Sequence, residues 1–202
     1  MYQLKNWQGH FVKIRYFLLI AVLSWMVLLP LGAKSAEIGD TKWLAFGGYG
    51  FTHTNLGRTE VWVETVFLAG AYEKVLTEEF GPSLLKGYHS IRFEVPIHYI
   101  MTPDTGFMTG INFIGLWTFT DWFNEYTPYV MGGGGPVYLD ADIPGVSMDL
   151  NGNYLFGAGI EFDAGLSRDI IIEYRFNHIS NGGQREPNVP LNSSRLMVGF
   201  SF

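Results

Sequence analysis

Beyond Asp40 the chain alternates apolar and polar residues with a period of two, the signature of half-buried β-strands. Phe107, Thr109, Ile111, Phe113, Gly115, Trp117 and Phe119 share one face, and Gly110, Asn112 and Thr118 share the other. Between His89 and Ile100, the residues Ile91, Phe93, Val95, Ile97 and Tyr99 oppose Ser90, Arg92, Glu94 and His98. Tyr154, Phe156, Ala158, Ile160 and Phe162 oppose Gly157, Gly159, Glu161 and Asp163. A soluble sandwich also alternates, but its exposed face usually carries Lys and other long flexible chains. Here the polar face holds Arg, Glu, Asp, Asn and Gly, which suits a narrow barrel interior where charges pair and glycines make room. The pattern predicts an all-β fold, an eight-stranded antiparallel transmembrane β-barrel. Its strands are expected near 43–53, 60–72, 88–100, 106–119, 127–138, 152–163, 169–180 and 195–202. Pro128, Pro136, Asp140 to Gly145 and Asn151-Gly152 read as turn chemistry.

The N-terminus follows a different rule. Lys5, Lys13 and Arg15 precede an apolar run from Tyr16 to Leu29 that ends at Pro30, too short for a typical membrane-spanning helix. Ala33 and Ser35 then stand where a signal peptidase reads small residues. Residues 1–35 are expected to be a secretory signal peptide, with an uncleaved membrane anchor as the alternative, and 36–202 a single barrel domain. Removing the leader takes four basic residues and no acidic ones, leaving nine Lys and Arg against nineteen Asp and Glu. That acidic balance argues against nucleic acid as a partner. No later apolar run is long enough to span a bilayer as a helix, so membrane residence requires a closed barrel. The chain has no Cys, which excludes disulfide scaffolds, thiol chemistry and Cys-ligated metals. The last segment places Leu196, Val198, Phe200 and Phe202 on one face. A terminal Phe on an alternating last strand resembles outer-membrane barrel proteins, and the resemblance implies recognition by the barrel assembly machinery through Phe202.

Familiar catalytic signatures are missing: there is no G-x-S-x-G elbow, H-E-x-x-H, P-loop or EF-hand loop. His10, His53, His89, His98 and His178 are not spaced as a metal pair, and nothing points to a metal or cofactor. Arg92 with Glu94, and Glu173 with Arg175, lie on polar strand faces and read as an interior charge network rather than as catalytic groups. His178 and Ser180 differ. They share a face with Ile170, Ile172, Tyr174 and Phe176, which is the lipid side. A polar pair there is costly away from the headgroups unless it has a role, although the interfacial belt of a barrel also tolerates His and Ser. Two residues apart on one face, an imidazole reaches the hydroxyl, giving the minimal base and nucleophile. With both termini at the periplasmic rim, the pair sits at the outer-leaflet end of the seventh strand, where the lipid is lipopolysaccharide.

The run Phe176-Asn-His-Ile-Ser-Asn181, followed by Pro187-Asn188, resembles the lipid A 3-O-deacylase (PagL) family of outer-membrane barrels. The resemblance is sharpest over about 175–195. It implies a serine esterase that removes the 3-O-linked acyl chain of lipid A, with His178 as general base and Ser180 as nucleophile. Asn181, Gly182, Gly183 and Asn188 are then candidates for holding the oxyanion. The family's third residue, a Glu fourteen positions after the His, is Asn192 here. An Asn accepts from the ring N–H and orients it without stabilising its charge; Glu186 is the other candidate for this role. Arg185 and Arg195 are expected to meet lipid A phosphates, with loop-rim charges as the alternative. A non-catalytic barrel with a structural or lipid-binding role, a palmitoyl-transferring barrel, and assembly into a homodimer stay open from sequence.

Overall fold

A computed structural model describes residues 36–123, 126–163 and 168–202; the expected signal peptide lies outside them. The strands are β1 (Thr41–Thr52), β2 (Glu64–Val75), β3 (Gly87–Thr102), β4 (Gly106–Gly110), β5 (Asn112–Phe119), β6 (Tyr126–Asp140), β7 (Leu150–Asp163), β8 (Asp169–Ser180) and β9 (Leu191–Ser201). All pairings are antiparallel, and β1 joins β9, so the sheet closes on itself. β4 and β5 together form one wall between β3 and β6, which makes an eight-stranded barrel.

The break at Ile111 has a cause in the neighbouring strands. Pro96 on β3 and Pro136 on β6 flank it, and neither has an N–H to donate. Thr109 Oγ1 donates to the Pro96 carbonyl at 2.9 Å, and the Ile111 N–H reaches the Pro136 carbonyl at 3.1 Å. The alternation keeps its phase across the gap. Pro128, Pro136, Asn151 and Gly152, expected as turn residues, instead lie inside β6 and β7, since a proline whose missing donor faces a gap in the ladder costs little. The second strand starts and ends later than its sequence pattern suggests; Val61 and Val63 pack over the barrel mouth, where the Thr52 hydroxyl donates to the Val61 carbonyl and accepts the Val63 N–H. The last strand starts four residues early, at Leu191, which puts Asn192 on the wall.

Outward positions carry the expected apolar residues, such as Leu68, Ile97, Phe113, Phe156 and Phe200. Exposed Trp43, Trp122 and Phe123 lie toward one rim and Tyr49, Trp62, Tyr99, Tyr138 and Tyr154 toward the other, the aromatic girdles of a transmembrane barrel. The lumen is solid. Arg92 pairs with Glu73 and Glu173; Arg175 pairs with Glu173 and, through both terminal nitrogens at 2.8 Å, with Glu94. Tyr129 donates to Glu173, and the Phe46 ring lies 5.2 Å from the Arg92 guanidinium centre and 5.9 Å from that of Arg175. The interior network expected for Arg92, Glu94, Glu173 and Arg175 is therefore present. Apolar clusters form around Leu44 and Ile114, and around Ile100 and Leu139.

Close packing makes some glycines obligatory. A Cβ on Gly48 would lie 2.4 Å from the Phe67 ring and 2.6 Å from the Leu196 carbonyl oxygen. Gly48→Val is expected to destabilise the barrel by about 1–3 kcal/mol, the usual size of an overpacking penalty. Urea unfolding in detergent micelles, followed by tryptophan fluorescence, measures it.

Candidate active site

The loops 53–63, 103–105, 141–149 and 181–190 share one rim of the barrel, and β8 ends there. Its inward residues Asn177 and Ile179 are buried, so the alternation turns His178 and Ser180 to the outer surface. The imidazole is held on both sides. Its Nε2 lies 3.1 Å from Ser180 Oγ, and its Nδ1 lies 2.7 Å from Asn192 Oδ1. Asn192 stands directly opposite His178 in the β8–β9 register, which explains how a residue fourteen positions away meets the ring. A hydroxyl, an imidazole and an amide oxygen in this order can move a proton from the hydroxyl to the ring.

The loop after β8 is organised by its own side chains. Asn181 Nδ2 donates to the Arg185 carbonyl at 2.7 Å, and Asn181 Oδ1 accepts the Gly183 N–H at 2.9 Å. Asn188 Oδ1 accepts the Asn181 N–H at 3.2 Å. Asn181 and the Gly183 N–H are thus engaged in holding the turn. The Asn188 carboxamide N–H groups and the Gly182 N–H have no partner among the described residues. A bridge between Val146 and Asn188 ties this loop to loop 141–149.

Two expectations need correction. Glu186 accepts the Asn188 N–H at 3.0 Å instead of approaching His178, so the ring's partner is Asn192. Arg195 is not at the rim. The alternation that turns Leu196 outward turns Arg195 into the lumen, where it is only 6% exposed and its guanidinium centre lies 5.9 Å from the Phe67 ring. Arg185 is exposed on loop 181–190 as expected.

Sequence reasoning missed the first loop. His53 Nε2 lies 2.7 Å from Ser194 Oγ, which also meets Tyr174 OH at 2.6 Å, and the His53 ring stacks on Phe176 at 6.3 Å. These contacts tether the loop to the outer wall beside the His178 pair. Leu56 and Thr59 from the same loop contact Asn192. No local spacing announces contacts between residues about 135 positions apart; only the closure of β1 onto β9 brings them together.

A family model for lipid A 3-O-deacylase (PagL) matches residues 48–201. The chain belongs to that family. Among solved structures it is similar to the outer membrane enzyme PagL, with a TM-score of 0.53 and 16% identity over 79% of this chain and 98% of that one. It is also similar to Neisserial surface protein A (NspA), with a TM-score of 0.52 and 14% identity over 80% and 95% of the two chains. At these identities the two structures speak for the fold. No curated protein matches the chain significantly. Membership in the PagL family, with the barrel it shares with these neighbours, places the protein in the bacterial outer membrane.

Proposed function

We propose that the protein is a serine esterase that hydrolyses the 3-O-linked acyl chain of lipid A at the outer-leaflet surface of the barrel. The observation that carries this reading is His178 bonded to Asn192 on one side and Ser180 on the other, on the lipid-facing wall of a PagL-family barrel.

Ser180 Oγ attacks the ester carbonyl while its proton passes to His178 Nε2. The tetrahedral oxyanion receives hydrogen bonds from the unpartnered Asn188 carboxamide and Gly182 N–H. The C–O bond to the sugar breaks, and the proton on His178 goes to the leaving sugar hydroxyl. Water, deprotonated by the same ring, then attacks the acyl-serine; a fatty acid leaves and Ser180 regains its proton. Asn192 keeps the ring aligned throughout but adds no negative charge to stabilise the imidazolium, so the enzyme is slower than one with a carboxylate in a matched site. Arg185, exposed on the loop, meets a lipid A phosphate.

Mass spectrometry of lipid A from cells expressing the protein tests this. Loss of one hydroxyacyl chain, with the matching free fatty acid, is the expected result. Unchanged lipid A from cells with folded protein in the outer membrane refutes the esterase and leaves a non-catalytic barrel. A gain of mass indicates acyl transfer into lipid A instead.

A further inference from the structure

The first loop makes a polar contact with the serine–histidine pair only through Asn192, and that contact has a direction. Asn192 Nδ2 donates to the Leu56 carbonyl at 3.0 Å. That carbonyl also accepts the Thr59 N–H at 3.2 Å, so a tight turn already fixes its position. Asn55 and Gly57 take left-handed φ values of 71° and 61° in this turn, and a Cβ on Gly57 would lie 3.2 Å from Asn192 Nδ2. Thr59, 1% exposed, locks the turn to the last strand: its Oγ1 donates to the Pro190 carbonyl at 2.9 Å and accepts the Asn192 N–H at 3.0 Å. The His53 N–H donates to the Asn192 carbonyl at 2.8 Å.

A carbonyl oxygen only accepts, so the Asn192 amide has one allowed orientation. Flipping it would set Oδ1 against the Leu56 oxygen, which has no hydrogen to give, and would turn Nδ2 onto His178. With Nδ2 committed to Leu56, Oδ1 faces His178 Nδ1, and that ring nitrogen must carry the proton. The lone pair of the neutral ring is then on Nε2, toward Ser180.

We propose that the first loop, through the Leu56 carbonyl and Thr59, is a positioning element that selects the Nδ1–H tautomer of His178 and makes an amide, rather than a carboxylate, the residue matched to position 192. A carboxylate there accepts from His178 equally well, but it turns its second oxygen on the Leu56 carbonyl, which it has no hydrogen to satisfy. Asn192 is thus an orienter adapted to its loop. Its relevance to acyl release rests on the esterase reading above; the tautomer itself does not.

The test has two independent arms. In the first, protein with ¹⁵N-labelled histidine in detergent micelles is examined by NMR. The expected result is a neutral His178 with Nδ1 protonated and Nε2 bare. A predominant Nε2–H tautomer, or a mixture of the two, overturns the proposal whether or not the protein cleaves lipid A. Thr59→Val, which keeps the shape and removes both side-chain hydrogen bonds, is expected to give a mixture in a folded barrel. An unaltered single tautomer in this variant removes the loop from the assignment.

In the second arm, acyl release by Asn192→Glu and Asn192→Asp is measured. Both are expected to be about ten- to hundredfold slower than wild type at neutral pH, from the cost of a buried acceptor left unpaired. A variant as fast as or faster than wild type overturns the claim that the loop requires an amide. Wild-type protein that releases no acyl chain refutes the esterase reading and leaves the tautomer result standing.

Discussion

Ser180→Ala is expected to lower acyl release from lipid A by roughly 10⁴-fold or more and to leave the barrel folded. The change deletes one oxygen. Among the described residues, the Ser180 hydroxyl has a single side-chain partner, His178 Nε2, so no packing contact of the wall depends on it. Without the oxygen there is no acyl-enzyme, and the only remaining route is direct attack by water on an ester oriented by the loop. His178→Ala is expected to cost a similar amount, and the double variant no more than the worse single one, because nucleophile and base act as a unit. Lipid A mass spectra from cells expressing each variant, with heat-modifiable mobility on gels as the folding control, provide the measurement. Full activity in Ser180→Ala would falsify Ser180 as the nucleophile.

Glu173→Ala carries the largest expected stability effect. Its carboxylate is fully buried and accepts from Arg92, Arg175 and Tyr129. Removing it strips one of two carboxylate partners from each guanidinium and leaves a void among fully buried side chains. Breaking a buried network this way costs about 3–5 kcal/mol, well above the return from any exposed pair. The urea midpoint of the reconstituted barrel should fall accordingly. Lys86→Ala, which breaks rim pairs to Glu79 and Asp121, should leave the midpoint unchanged. Equal effects from both variants would show that the lumen network is not a stability determinant.

The barrel was legible in the sequence because each strand has one wet and one greasy face, and a period of two survives even the proline-flanked break at Ile111. Strand ends were less legible. Glu60 to Val63 continues the alternation although Val61 and Val63 pack over the mouth outside any strand, and Asn192 to Ser194 interrupts it although they are strand. The His178–Ser180 pair stood out for the same reason that the lumen charges did not: both obey the alternation, but only one puts polar groups on the apolar face. The parity rule also shows why Arg195 was misplaced. Leu196 shares one face with Val198, Phe200 and Phe202, the face that turns outward, and its neighbour on a strand must then point inward. His53, Leu56 and Thr59 were invisible, since a loop's hydrogen-bond partners depend on barrel closure and turn shape, which no residue spacing encodes.

The charge lattice across the lumen bears on more than folding. Arg92 and Arg175, clamped by glutamates and overlaid by Phe46, cross the middle of a barrel whose bore is only wide enough for side chains to fill. The protein should therefore be electrically silent in planar bilayers, without single-channel steps. Raising its copy number should then leave a cell's sensitivity to small hydrophilic antibiotics unaltered by any leak through this barrel.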